Sequence, residues 1–253
     1  IVKNLLFYGI DFNEINKKKI NLVSKSKYKS WVENLNKFKK YQMTEPVEKI
    51  LMEKSITSSS AWIKFFDQTM TRLKFPFRRK FLSETEILNL FTSNNQKVRK
   101  DAALSFGKIL KDNIYTFTFI MNNISKDLDI DKNLRGFKYS ESSRHLSNQI
   151  DKEDVDSLVE TVKNNYKSIC HEYYSYKARC FGSNKLNFWD RNAPYPKSKV
   201  MTVDWKEAKQ IVLNSYFEFD SRIGKIAETF FEKSWIHAKP MVGETSGAFA
   251  HPT

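Results

Sequence analysis

Cysteine, glycine and proline are all scarce in this sequence. Two cysteines, Cys170 and Cys180, occur in 253 residues. That is too few for a disulfide framework or a four-cysteine zinc site, and it fits reduced thiols in a cytoplasmic protein. Seven glycines and six prolines occur in clusters and leave long uninterrupted stretches, which favours a mainly helical chain. No apolar run approaches the roughly 20 residues that span a bilayer. The opening IVKNLLFYGIDF lacks the charged-then-apolar pattern of a secretory signal. It also lacks an initiating Met, so the sequence reads as starting partway through a longer protein.

What is present is apolar and basic. Hydrophobic residues make up 40%, with five Trp, eleven Tyr and twenty Phe, enough for a real core and against global disorder. The formal charge is +14. A basic balance suits a polyanion or a membrane surface, but here Lys is spread along the chain and mixed with 29 acids. The densest knots, Lys17-Lys18-Lys19 and Arg78-Arg79-Lys80, are short, and no nucleic-acid-binding motif is recognisable. The expectation is a compositional bias, with no nucleic-acid and no membrane partner. A basic helical nucleic-acid binder is the weakest of three readings.

Several helices are legible from pattern. SETE at 83–86 and SNNQ at 93–96 have capping-box spacing. After the second, apolar residues from Val98 through Phe106, Ile120 and Met121 to Ile124 recur at helical intervals, as core packing requires. A helix is expected after Asp151, with Val155, Leu158, Val159, Val162, Tyr166, Ile169 and Tyr173 on its packed face. DWKE at 204–207 caps another, with Ala208, Val212, Tyr216 and Phe219 as its stripe, and a last helix carries Ile223, Ile226, Ala227, Phe230 and Phe231. FPFRRK around Pro76 reads as a join between modules, and FWDRNAPYPKSK at 188–199 as a turn-rich insertion.

The stretch CHEYYSYKARC, 170–180, holds a His-Glu pair that could open a metal site. In an H-E-x-x-H motif two histidines four apart share a helix face, so both imidazoles reach one zinc. Here the second position is Ser175, and serine is a rare zinc ligand. At about 100° per residue from Val155, the apolar stripe lies within about 60° of zero, His171 near ~160° and Ser175 near ~200°. The pair is expected to face solvent. His145, His237 and His251 show no ligand spacing, and no phosphate loop or nucleophile elbow occurs.

Read as whole strings, the chain resembles oligoendopeptidase F, of the thimet-oligopeptidase-like zinc peptidases. The carriers are EPVEKILMEKSITSSSAWIKFFDQTMTRLKFPF at 45–77, VRKDAALSF, MNNISKDLDI, SSRHLSNQID at 142–151, YYSYKARCFGSNKLNFWDRNAPYP at 173–196 and FFEKSWIHAKPMVGETSGAFAHPT at 230–253. The resemblance implies a mainly α fold. Residues 1–80 would be the helical N-terminal region and 81–253 the first, helical part of a truncated catalytic domain. It implies zinc as cofactor of the complete enzyme, held by an HExxH helix that would lie after Thr253. None would be bound by this chain, which alone would be inactive. Short peptides are the implied partners, together with a separately encoded C-terminal half if the chain is one part of a split peptidase. Gly247, Ala248 and Phe249 are the candidates for backbone contact with a bound peptide, since an extended peptide pairs with a strand edge. His251 is a candidate polar contact beside them. Asp190 and Arg191 are expected to form an ion pair that fixes the long loop.

Overall fold

The computed structural model describes residues 27–196, 198 and 202–238. They are mainly helical and divide into two compact units. One comprises the described residues up to Thr69 with Gly107–Tyr174; the other comprises Met70–Phe106 and the described residues from Ser175 onward.

The first unit holds α1 (Lys29–Lys39), α2 (Glu45–Ser55), most of α3 (Ser59–Arg72), the end of α5 (Gln96–Asp112), α6 (Ile114–Arg135), α7 (Ser142–Ser147) and α8 (Lys152–Asn164). Aromatic edges join α3 to α6: Trp62 meets Phe119 at 5.4 Å and Phe66 meets Phe117 at 5.7 Å between ring centroids. The Ser59 amide donates to Asp127 Oδ2 at 3.2 Å, satisfying an N–H at the start of α3 that the helix itself leaves free. At the end of α6, Gly136 turns left-handed, with φ of 69°. This lets the Phe137 amide reach back to the Lys132 carbonyl at 3.0 Å, the bond that closes a Schellman ending. Phe137 is thereby delivered into the core, where its ring lies 4.1 Å from that of Tyr41.

The apolar series from Val98 to Ile124 runs over two helices, α5 and α6, with Asn113 between them, its side-chain amide donating to the Ile109 carbonyl at 2.9 Å. Two expectations need correction here. Met121 is not core. It sits about 100° around from buried Ile120 and is 64% exposed. The stripe after Asp151 is not a packed face either. Leu158, Val162 and Ile169 are exposed. A π turn over Tyr166–His171 then puts more residues into one turn, so angles counted at 100° per residue from Val155 lose their meaning beyond it. His171 is nonetheless exposed, as expected.

The second unit opens with a two-stranded antiparallel hairpin, β1 (Phe75–Phe77) and β2 (Lys80–Leu82), Phe75 opposite Leu82. The join at FPFRRK is therefore an ordered turn, with Arg78 left-handed at φ of 56°. Phe75, fully buried, stacks on Phe106 at 5.1 Å, and Phe91 meets the same ring edge-on. α4 (Glu84–Asn89) starts with the expected capping box: the Glu86 amide reaches Ser83 Oγ at 3.4 Å, and the Ser83 amide reaches the Glu86 carboxylate at 2.7 Å. The second proposed box fails by two residues. Asn95, not Ser93, caps α5, its Oδ1 accepting from the amides of Lys97 and Val98. Next come α9 (Glu172–Cys180), which straddles the two units, and an antiparallel pair, α10 (Trp205–Phe219) and α11 (Ser221–Glu232). Asp204 caps α10 through the Glu207 amide at 2.8 Å, as DWKE predicted.

Candidate functional site

The sequence around Trp189 reads as a turn-rich insertion, and the structure shows what orders it. Phe188–Asp190 form one 3₁₀ turn, continued by the Ala193 amide bonding back to the Asp190 carbonyl at 3.1 Å. The turn aims the Asp190 carboxylate at α5. Oδ1 accepts from Arg99 Nε at 3.1 Å and Nη2 at 2.6 Å. Oδ2 accepts from Gln96 Nε2 at 2.9 Å and Asn187 Nδ2 at 3.1 Å. Arg99 also donates through Nη1 to the Ser93 carbonyl at 2.6 Å and stacks over the Phe181 ring. Gln96 and Arg99 stand three apart on α5, so one helix face supplies both donors.

This pair is almost wholly withdrawn from water, with side chains 1% and 3% exposed. Burial alone would raise the Asp190 carboxyl, but hydrogen bonds from Gln96, Arg99 and Asn187, with the Arg99 charge, outweigh it and hold the group below its ordinary value. A carboxylate with four donors on two oxygens has no free lone pair directed at a substrate. It is an anchor, not a general base. A second clamp comes from α9, where buried Lys177 donates through Nζ to the Arg191 carbonyl at 2.6 Å and lies over the Tyr195 ring. The expected Asp190–Arg191 ion pair is thus replaced by one ion pair and one side chain–backbone hydrogen bond. Asp190 takes Arg99, Arg191 offers its carbonyl to Lys177, and the Arg191 guanidinium lies over Phe188. Neighbouring residues on a tight turn point apart, whereas α5 brings a guanidinium in from 91 positions earlier. No local signal foretold Arg99, which reads in sequence as one more surface cation.

The first unit has a matching node. Arg135 grips Glu48 with two parallel bonds, Nη1 to Oε1 at 2.6 Å and Nη2 to Oε2 at 3.0 Å. Its Nε donates to Asp131 at 2.7 Å, and the Met43 amide adds a bond to Glu48 at 2.7 Å. Burial pushes Glu48 up; Arg135 and the Met43 amide more than reverse it.

Gly247, Ala248, Phe249 and His251 lie outside the described residues. Among the described residues, no three His, Cys, Asp or Glu side chains converge as a metal site would require. The described residues do not themselves offer a zinc-ligand set.

The fold is similar to that of PZ peptidase A, with a TM-score of 0.79 at 16% identity, over 97% of this chain and 43% of that one. Oligoendopeptidase-F from Enterococcus faecium matches with a TM-score of 0.66 at 16% identity, over 91% of this chain and 46% of that one. The particular resemblance comes from sequence. Residues 11–75 match the family described as oligopeptidase F. Over 222 residues the chain is 27% identical to the oligoendopeptidase F homolog of Borreliella burgdorferi strain B31, covering 87% of this chain and 37% of that protein. The resemblance to oligoendopeptidase F therefore holds in sequence and in fold. The chain spans little more than a third of that relative's length.

Proposed function

We propose that this chain is part of a cytoplasmic zinc-dependent oligoendopeptidase that hydrolyses short peptides, and that the 253-residue chain by itself does not turn over substrate. Its contribution is a helical scaffold and part of the wall of the peptide channel. The helical N-terminal region would run over 1–80, and the first part of the catalytic domain would follow. The supporting observation is the combined likeness: sequence identity of 27% along 87% of the chain, and a common fold along more than nine-tenths of it. The anchored loop at Trp189–Pro194 supports a scaffold role, because its ionisable groups are spent on holding backbone in place. Zinc would be supplied with residues beyond those described, and there it would activate water. The backbone of Gly247, Ala248 and Phe249, with His251, would meet the peptide.

Zinc content measured by atomic emission, together with cleavage of a quenched oligopeptide, tests this reading. The expected result is substoichiometric zinc and no chelator-sensitive turnover from this chain alone. Stoichiometric zinc with turnover would overturn the inactive half of the proposal.

A further inference from the structure

The β1–β2 hairpin has one closed edge and one open edge. Its register sets Pro76 opposite Phe81. Proline has no N–H to give, so this pair exchanges no bonds across the ladder, and the flanking pairs Phe75–Leu82 and Phe77–Lys80 do. The backbone groups of Pro76 and Phe81 therefore point away from each other, to opposite edges. On the β1 edge Pro76 offers only a carbonyl, and Ser105 Oγ of α5 donates to it at 2.6 Å. On the β2 edge the Phe81 N–H and carbonyl have no partner among the described residues. The Phe81 side chain is 74% exposed, and Pro76, opposite it, is exposed as well.

The turn that closes the hairpin is basic. Lys74, Arg78, Arg79 and Lys80 are all exposed, and no acid stands among positions 74–80. Glu84 and Glu86 follow. Glu86 is held below its ordinary value chiefly by the Ser83 amide and hydroxyl and, more weakly, by the charges of Lys74 and Lys80. Among the described residues none of the four cations makes an ion pair. Arg78 also holds a left-handed backbone, φ 56°, that glycine would adopt without strain. A guanidinium is kept at the tip against that conformational cost.

An unpaired N–H and carbonyl on one strand edge are matched together by extended polypeptide, which brings an acceptor and a donor at the same spacing. A phosphate, whether of a nucleic acid or a lipid headgroup, could answer the cations and the N–H but has no donor for the carbonyl. A second copy of this chain would set the same cations against one another. Charge complementarity therefore selects an acidic segment.

We propose that the β2 edge binds an acidic polypeptide segment in extended conformation. The segment adds a strand beside Phe81, rests an apolar side chain on the Phe81 ring, and turns its carboxylates toward Arg78, Arg79 and Lys80. The proposal goes beyond the peptidase reading and does not depend on it.

Fluorescence anisotropy of a labelled alternating Glu-Val decapeptide tests it, on the full chain, at low salt and with a chelator present to stop any turnover of the probe. Saturable binding that weakens as salt rises is expected. A Lys-Val decapeptide, and the Glu-Val peptide N-methylated at every residue, should each bind about tenfold more weakly or worse. Arg79→Glu with Lys80→Glu should weaken the Glu-Val peptide by about tenfold and favour the Lys-Val peptide, with the helical circular dichroism retained. Arg78→Gly removes one cation and relaxes the turn, so it should weaken binding without lowering Tm, a loss that misfolding cannot explain. Absent or non-saturable binding, an N-methylated or Lys-Val peptide that binds equally well, or an unchanged affinity in the charge-reversed variant overturns the proposal. So does an oligouridylate or a phosphatidylserine vesicle that binds more tightly and displaces the peptide, since the surface would then serve polyanions at large.

Discussion

Each unit of the molecule holds an arginine–carboxylate node between residues far apart in sequence, and the two nodes are built for different surroundings. Arg99–Asp190 is sealed, with both side chains nearly inaccessible. Arg135–Glu48 is half open: the carboxylate is 6% exposed and the guanidinium 22%. The sealed node joins a helix to a loop across 91 positions, and the open one joins two helices across 87. In the sealed node every donor and acceptor must be matched within the protein, because water cannot substitute. In the open node Arg135 keeps Asp131 and solvent as alternatives. The difference teaches that equal chemistry carries unequal risk: the cost of losing one partner grows with the burial of the other.

The largest expected effect follows from breaking the sealed node. Asp190→Ala leaves the Arg99 charge buried and unpaired, and should cost about 3–5 kcal/mol in a urea titration. Replacing both partners together, Arg99→Met with Asp190→Leu, should recover most of that loss, since an apolar pair needs no compensation. If the double variant is no better than the single one, the Gln96 and Asn187 bonds matter more than the charge. Glu48→Ala in the open node should cost less, about 1–3 kcal/mol, with faster amide hydrogen exchange in α2 and little change in α5. Equal losses at Asp190 and Glu48 would erase the comparison.

Acid distinguishes the nodes in the same way. Both carboxyls are held below their ordinary values, 3.8 for Asp190 and 4.5 for Glu48. The folded state therefore releases these protons more readily than the unfolded state. Their stabilisation is complete above the ordinary values and declines as pH falls through the lowered ones. Hydrogen exchange between pH 5 and pH 2 should show protection declining in both units. Asp190→Ala should weaken this acid dependence in the second unit, where the lowered Glu86 and Asp220 carboxyls remain, and leave that of the first unit unchanged.

Smaller effects lie away from the nodes. Gly224→Ala forces the added methyl against the Phe217 ring and should cost about 1–3 kcal/mol, relieved when Phe217→Ala is added. Ser83→Ala removes one cap bond of α4 and should cost about 1 kcal/mol, confined to the second unit.

The helices that were legible in the sequence are those with local signals. Ser83 with Glu86, and Asp204 with the Glu207 amide, lie within one helical turn, so three or four letters suffice. Where two local signals competed, as with Ser93 and Asn95, spacing alone chose the wrong cap. Apolar periodicity located α8, α10 and α11 but misjudged which stripes are covered, because periodicity says where side chains point and nothing about what meets them. The Trp189–Pro194 string was visible as part of the resembling stretch at 173–196, yet its anchor, Arg99, was not.

The sequence by itself determined a mainly helical chain, its turn-rich breaks and a resemblance to oligoendopeptidase F, since helix propensity, capping and long matching strings are properties of neighbouring residues. Tertiary structure alone decided that Asp190 belongs to Arg99 rather than Arg191, that Glu48 belongs to Arg135, and that the Phe219 stripe stays open. Those outcomes depend on groups some 90 positions apart meeting, or failing to meet, in space, where charge and burial act on distance rather than on order along the chain.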